Sequence, residues 1–175
     1  VTETNLNRQL VALRSTLGKN KAEVMCQRIL DINPEANVTA IPEFYTLENA
    51  ESIDFSSFDY VADAIDMIPS KVLIVEKCTE AGVRVISSMG AGNRLSPELF
   101  EIRDIFKTEG DPLARIMRRE LRSRGVKHLN VVFSRELPMK RHGEDNRVGS
   151  VSFVPSSAGL VMAGGIIRDI AEVRR

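Results

Sequence analysis

Apolar residues recur at helical spacing over residues 19–33. Ala22, Met25, Cys26, Ile29 and Ile32 share one face there, and Asn33-Pro34 stops the run. Asn37–Ile41 reads as a short strand, and Glu48–Ile53 as a helical turn. Asp59–Ala64 reads as a buried strand. Residues 69–81 read as a helix, with Pro69 near its start and Gly82 just after its end. Val83–Ser88 reads as the next strand. Strand, helix and strand within about 30 residues make a βαβ unit, which requires a parallel sheet.

The pattern loosens beyond Gly92. Glu101–Ile105 fits a strand or an extended segment. Asp111-Pro112 opens a helix, with Asp at the cap and Pro in the first turn. Leu113, Ile116, Met117 and Leu121 form its apolar face, and Gly125 ends it. Leu129–Ser134 is a strand. Residues 135–148 are polar and charged, with Pro138 and Gly143, and are expected to form a mobile loop. Ser150–Val154 is expected to be a short strand. Ser156 or Ser157 can cap a last helix running to about Val173. Its Ala158, Gly159, Ala163, Gly164 and Gly165 are small enough to let a neighbour approach closely. The whole reads as an α/β domain with a mainly parallel sheet flanked by helices.

Composition narrows the function classes. The 175 residues fit one domain, and 43% hydrophobic with 27% charged residues is a globular balance. Lys plus Arg (24) equals Asp plus Glu (24), so only local clusters can specify a charged partner. Cys26 and Cys78 lack CxxC spacing, which excludes a four-cysteine zinc site within this chain and fits a reducing compartment. No apolar run approaches the roughly 20 residues that cross a bilayer, and no signal peptide pattern is present. A cytoplasmic protein without membrane association is the expectation. The first residue is Val, and the expectation is a processed or truncated product.

Three groups of residues carry candidate chemistry. Asn5, Arg8 and Gln9 lie within the run Thr4–Gln9, and Lys21 follows at the entry of the first helix. An Arg fork and a Lys charge suit phosphate oxygens, and helix starts leave N–H groups free for anions. A solvated loop and exposed helix face is the alternative. Asp66 lies two residues past the predicted strand end, where ligands of parallel sheets collect. It can hold magnesium, cap the following helix, or both. Asp63 reads as a structural or sheet-edge residue. Ser88–Asn93 contains Gly90 and Gly92 but does not complete GxGxxG, and reads as a turn beside the pocket.

Arg115, Arg118, Arg119, Arg122, Arg124, Lys127 and His128 crowd one helix and its exit. They can contact RNA phosphates or form a solvated face. Lys140, Arg141 and His142 extend the basic content into the following loop. Cys26 and Cys78 read as structural thiols rather than nucleophiles, and neither His128 nor His142 has a partner at useful spacing.

Thr4-Asn5-Leu6-Asn7-Arg8-Gln9, Gly18-Lys19-Asn20-Lys21 and Asp63-Ala64-Ile65-Asp66, in this order, resemble the T-N-x-x-R-Q, G-x-x-K and D-A-x-D segments of the ThiF/MoeB/HesA family, relatives of the ubiquitin-activating enzymes. The likeness continues through Ile32-Asn33-Pro34, Gly90-Ala91-Gly92, Lys107-Thr108 and Asp111-Pro112-Leu113-Ala114. With Val132-Phe133-Ser134, that later stretch most resembles the tRNA threonylcarbamoyladenosine dehydratase (TcdA) branch. Absence of the family's zinc cysteines disfavours a MoeB-type reading.

The resemblance implies a Rossmann-like fold that binds ATP and Mg2+ at the carboxyl ends of the strands. It implies adenylation of a carboxylate, on threonylcarbamoyladenosine in tRNA, followed by ring closure with AMP leaving. Asn5, Arg8, Gln9 and Lys21 would surround the triphosphate, Asp66 would hold the metal, and Arg8 and Asp66 would be catalytic. Residues 1–93 would form the nucleotide-binding half and 94–175 the substrate and dimer side. tRNA would meet Arg115, Arg118, Arg119 and Arg122, and a homodimer is implied. Alternatives are adenylation of a ubiquitin-like sulfur carrier, with a sulfur-relay partner, and a non-catalytic interaction module. The family's Gly-rich phosphate loop and first strands precede the T-N-x-x-R-Q run. The chain is therefore expected to be an N-terminally incomplete domain, inactive by itself.

Overall fold

A computed structural model describes residues 1–139 and 148–172, in two units, Val1–Phe44 and Tyr45–Arg175. In the first unit, short 3-10 turns at Glu3–Asn5 and Arg14–Thr16 lead into helix α1, Lys21–Ile32. Asn20 caps α1 by accepting a hydrogen bond from the Ala22 N–H at 2.8 Å. Its apolar stripe is only half covered, and no α1 residue is buried. The strand expected at Asn37–Ile41 does not form. The segment pairs with no strand among the described residues, so its backbone has no ladder to join.

The second unit is built on a four-stranded sheet: β1, Tyr60–Asp63; β2, Arg84–Ser88; β3, Phe100–Asp104; and β4, Asn130–Ser134. The spatial order is β1-β2-β4-β3. β1, β2 and β4 run parallel, and β3 is antiparallel to β4. Helix α2, Ile68–Ala81, links β1 to β2, and Gly82 closes it at φ 69°. Only glycine takes that left-handed geometry at little cost. Helix α3, Pro112–Ser123, starts at Asp111, whose carboxylate accepts from the Ala114 N–H at 2.8 Å.

The two-residue period of β4 divides the core. Val131 and Phe133 face α2 and α3, packing with Val72, Val75, Met117 and Leu121. Val132 faces the other way, toward Ile86, Phe100 and the last helix, α4, Phe153–Ile170. α2 and α3 thus cover one face of the sheet and α4 the other.

α4 departs from expectation at its start. No strand forms at Ser150–Val154, and the helix begins ahead of Pro155. Proline is tolerated in a first turn, where N–H groups have no helical partner anyway. Ser156 and Ser157 are not caps. Their hydroxyls donate to the Ser152 and Phe153 carbonyls at 2.6 and 2.8 Å. A Cβ on Gly165 would lie 2.3 Å from Ile102 Cδ1, so glycine sets how closely α4 lies on the sheet. On its outward side Phe153, Leu160, Ile167 and Ile170 are exposed. With apolar residues on both sides, this 18-residue helix is long and apolar enough to cross a membrane by length and composition, contrary to the sequence expectation. In this fold its inner side packs against the sheet.

Arg84 and Tyr60 tie the far end of α4 to the sheet. Arg84 donates to the Asp169 carbonyl at 2.9 Å and sits over the Tyr60 ring, whose hydroxyl donates to the Asp169 carboxylate at 2.9 Å. Residues 140–147, most of the loop expected to be mobile, lie outside the described residues. Both ends of that loop meet Asn93, at φ 57°. The Met139 N–H donates to the Asn93 carbonyl at 2.7 Å, the Gly149 N–H to its side chain at 2.8 Å, and the Asn93 N–H to the Gly149 carbonyl at 2.8 Å.

Candidate active site

Parallel strands deliver their carboxyl ends to one edge of the sheet. The β1–α2 loop, the turn after β2, the end of β4 and the starts of α2 and α3 all belong to that edge. In β1, Asp63 lies two residues after Val61, on the same face, and therefore points toward α2. It is buried, and so is Lys71, three residues into α2 and fully buried at 0% exposure. Lys71 Nζ lies 2.8 Å from Asp63 Oδ2, which also accepts from Ser87 Oγ at 2.5 Å. Asp63 is thus a structural anchor, as its position in the strand implied.

Asp66 is exposed and has no hydrogen bond or ion pair among the described residues. It is not the cap of α2, because that position falls to Met67, which contributes no side-chain bond. Its carboxylate is left free to meet a ligand. Among the described residues no group of three or more His, Cys, Asp or Glu side chains can cage a metal.

The glycine-containing turn after β2 closes against α3. A Cβ on Gly90 would come within 3.3 Å of Asp111 Oδ2. Next to it, Arg94 is 2% exposed; Nη2 lies 2.7 Å from Asp111 Oδ2, and Nη1 donates to the Ser134 carbonyl at 3.2 Å. One guanidinium therefore joins the turn, the end of β4 and the cap of α3. Glu136 completes this edge by accepting from the Leu95 and Ser96 N–H groups at 3.0 and 2.9 Å.

In the first unit, Asn5 is buried and accepts from the Thr2 N–H at 3.1 Å. Arg8 is half-buried and donates to the Thr4 carbonyl and the Asn7 side chain at 2.7 and 2.9 Å. Gln9 is half-buried, and Lys21 is exposed as the first residue of α1. Neither side chain has a partner among the described residues. That unit also holds a cavity of about 650 Å³, lined by Leu10, Leu13, Lys19, Val24 and Arg28 among others; Asn5, Arg8, Gln9 and Lys21 do not line it.

The basic helix divides its charges. Arg118 is a strut, not a free cation: Nη1 donates to the Thr108 carbonyl at 2.9 Å and contacts Thr108 Oγ1. Nη1 of its guanidinium is therefore spent on protein oxygens. Arg119 pairs with Glu120 at 3.1 Å, and Arg124 with Glu76 and Glu120 at 3.0 Å each. Hydrogen bonds from Arg124 and Arg119 hold the Glu120 carboxyl below its usual range. Arg122 lies over the Phe106 ring at 5.3 Å, and Arg115 is exposed and unpaired among the described residues.

The ThiF family model matches residues 1–168. The chain belongs to the ThiF family. This ThiF-family chain is 42% identical to the tRNA threonylcarbamoyladenosine dehydratase of Bacillus subtilis, over 97% of its own length and 73% of that relative. It superposes on the Escherichia coli enzyme TcdA in complex with AMP at a TM-score of 0.90, with 32% identity, covering 98% of this chain and 72% of that one. The ATP complex of the same enzyme gives a TM-score of 0.89 over the same shares, at 32% identity. The expected Rossmann-like, mainly parallel fold is therefore the fold observed.

Sequence reasoning missed Lys71 and Arg94. Lys71 had a signal: an acid two residues from an inward-facing apolar strand residue shares its face and needs a cation from the covering helix. Arg94 had none, since its partner Asp111 lies 17 residues away.

Burial pushes the Cys78 thiol up from its ordinary 9.0 to about 12, with the nearby Asp63 charge adding to it. Burial, then the hydrogen bond to Asp169, pushes Tyr60 from 10.0 to about 12. Both groups hold their protons more tightly folded than unfolded. Above their ordinary values the unfolded chain loses protons first, so stability falls as pH rises. Urea unfolding at stepped pH is expected to show full stability below pH about 9 and progressive loss toward about 12. Cys78 is expected to resist alkylation at pH 8 until the protein unfolds.

Proposed function

We propose that this chain acts in ATP-dependent adenylation of a carboxylate on threonylcarbamoyladenosine in tRNA, leading to its cyclising dehydration. The observation that carries this reading is the free, exposed Asp66 carboxylate at the carboxyl end of β1, in a chain 42% identical to a tRNA threonylcarbamoyladenosine dehydratase. A substrate carboxylate oxygen attacks the α-phosphorus of ATP and pyrophosphate leaves, giving an acyl adenylate. Intramolecular attack on the activated carbonyl then closes the ring and releases AMP.

Asp66 is the residue that would hold Mg2+. A single carboxylate fits that ion, which takes its remaining ligands from phosphate oxygens and water, whereas a cage of protein ligands is not needed. When bound, the ion offsets negative charge on the triphosphate. Arg8 supplies a planar fork for phosphate oxygens, Lys21 a point charge, and Asn5 and Gln9 amide contacts. The family likeness supports a cytoplasmic location.

ATP–pyrophosphate exchange by the intact protein tests this reading. Exchange is expected with threonylcarbamoyladenosine-containing tRNA and not with unmodified tRNA. Asp66→Asn is expected to lower the exchange rate by about 10²–10³-fold, as loss of a key electrostatic group does. Equal exchange with and without the modified nucleoside would reject the substrate assignment.

On the basic helix, Arg115 and Arg122 are the residues we assign to tRNA phosphates, and Arg119 joins them at the rim. Arg115→Glu with Arg122→Glu is expected to weaken tRNA binding and to reduce the salt dependence of log K by about 1 per lost contact. An unchanged salt slope in filter binding would remove this helix from the interface.

Homodimerisation belongs to the same reading. Phe153, Ser156, Leu160, Ala163, Ile167 and Ile170 repeat at three- and four-residue steps on the outward side of α4, the spacing by which one helix packs on another. We assign this stripe to a second copy of the chain. Leu160→Glu is expected to shift sedimentation equilibrium toward monomer.

A further inference from the structure

Lys71 is fully buried, and its contacts converge on the residues flanking Asp66. Nζ donates to the Ile65 carbonyl at 3.1 Å, while the Lys71 backbone N–H donates to the Met67 carbonyl at 2.9 Å. The Ile65 carbonyl beside Asp66 is thus held by the Lys71 side chain, while the Met67 carbonyl takes the ordinary first helical bond of α2. Asp63 grips the same loop from the strand: Oδ1 accepts from the Ile65 N–H at 3.2 Å, and Oδ2 meets Lys71 Nζ at 2.8 Å. Ser87 Oγ fixes the Asp63 carboxylate from β2 at 2.5 Å. Both backbone polar groups of Ile65 are therefore spoken for, and the Asp66 side chain projects from a loop with little freedom.

Stability alone does not require this arrangement, because well-packed apolar residues in place of a buried ion pair are often equally stable or better. What an apolar pair cannot supply is direction. We propose that Lys71 is a positioning residue for the adenylation reaction: with Asp63 it forms a clamp that holds Asp66 ready for the nucleotide-bound cation. This rests on the adenylation reading above, deepening the role of the same site. Lys71 itself touches neither nucleotide nor substrate in this role. Metal-site affinity typically changes 10–100-fold when such supporting contacts are lost.

The test compares wild type, Lys71→Met and Lys71→Arg in the intact protein by two measurements. The first is amide hydrogen exchange without nucleotide. In Lys71→Met, exchange at residues 64–67 is expected to speed up at least about tenfold while Val131–Phe133 in β4 keeps its protection. The second is the Mg2+ concentration giving half-maximal ATP–pyrophosphate exchange, expected to rise about tenfold in Lys71→Met and to recover in Lys71→Arg. Wild-type loop exchange together with a wild-type Mg2+ midpoint in folded Lys71→Met would overturn the proposal. So would uniform acceleration across the sheet with an unchanged midpoint, which marks a purely structural pair. If Lys71→Met does not fold, Asp63→Asn/Lys71→Met, which leaves no buried charge unpaired, decides by the same two readings. A wild-type protein that binds no ATP and exchanges no pyrophosphate counts against the adenylation reading instead; the loop exchange then decides the clamp by itself.

Discussion

Two buried ion pairs hold helix starts to strand ends, and the arrangement of the strands' carboxyl edge depends on them. Asp63–Lys71 joins β1 to α2. Arg94–Asp111 joins the turn after β2 to α3 and, through the Ser134 carbonyl, to β4. Removing one partner of such a pair strands a charge and costs about 3–5 kcal/mol, a large part of the roughly 5–15 kcal/mol that keeps a domain folded. Asp63–Lys71 also bonds both backbone groups of Ile65 in the β1–α2 loop, and Arg94–Asp111 bonds the Ser134 carbonyl and the Ala114 N–H. Loops otherwise carry low local stability, so charge has been placed where apolar packing could not fix a direction.

The regular parts of the fold were legible because they depend on local rules. Asn20 and Asp111 cap α1 and α3, Gly82 closes α2, and the periodicity of residues 69–81 continues through the observed helix. β1, β2 and β4 fell within a residue or two of their expected places. Asn37–Ile41 had strand composition, but a strand exists only with a partner, and pairing is not written in a local pattern. Asp66 was correctly placed past the end of β1, yet its supports were hidden. Lys71 was passed over although its strand partner faces inward, and Arg94 finds Asp111 only through the tertiary fold.

α4 misled for a related reason. Ser156 and Ser157 resemble caps, and Pro155 resembles a break. In the structure the helix simply starts earlier, and both hydroxyls bond back to the preceding turn. A helix apolar on one face buries itself against a sheet; a helix apolar on two faces looks like a membrane span by composition. In this fold the inner face is covered by the sheet, where Val154, Ala158 and Met162 pack with Ile86, Phe100 and Val132.

The basic helix shows how little a count of charges says about binding. Its arginines share one stretch of sequence, but they meet different environments. Arg118 spends its guanidinium on the Thr108 and Ile105 carbonyls, satisfying backbone groups at the loop that precedes α3. Arg124 is shared between Glu76 and Glu120, linking α3 to α2. Arg115 is unpaired among the described residues, and Arg122 stacks on Phe106 without an acidic partner there. A phosphate gains most from a cation whose charge is not already neutralised by a carboxylate. The charge on this helix that no carboxylate neutralises therefore lies chiefly on Arg115 and Arg122, while Arg118 and Arg124 tie the helix to the preceding loop and to α2.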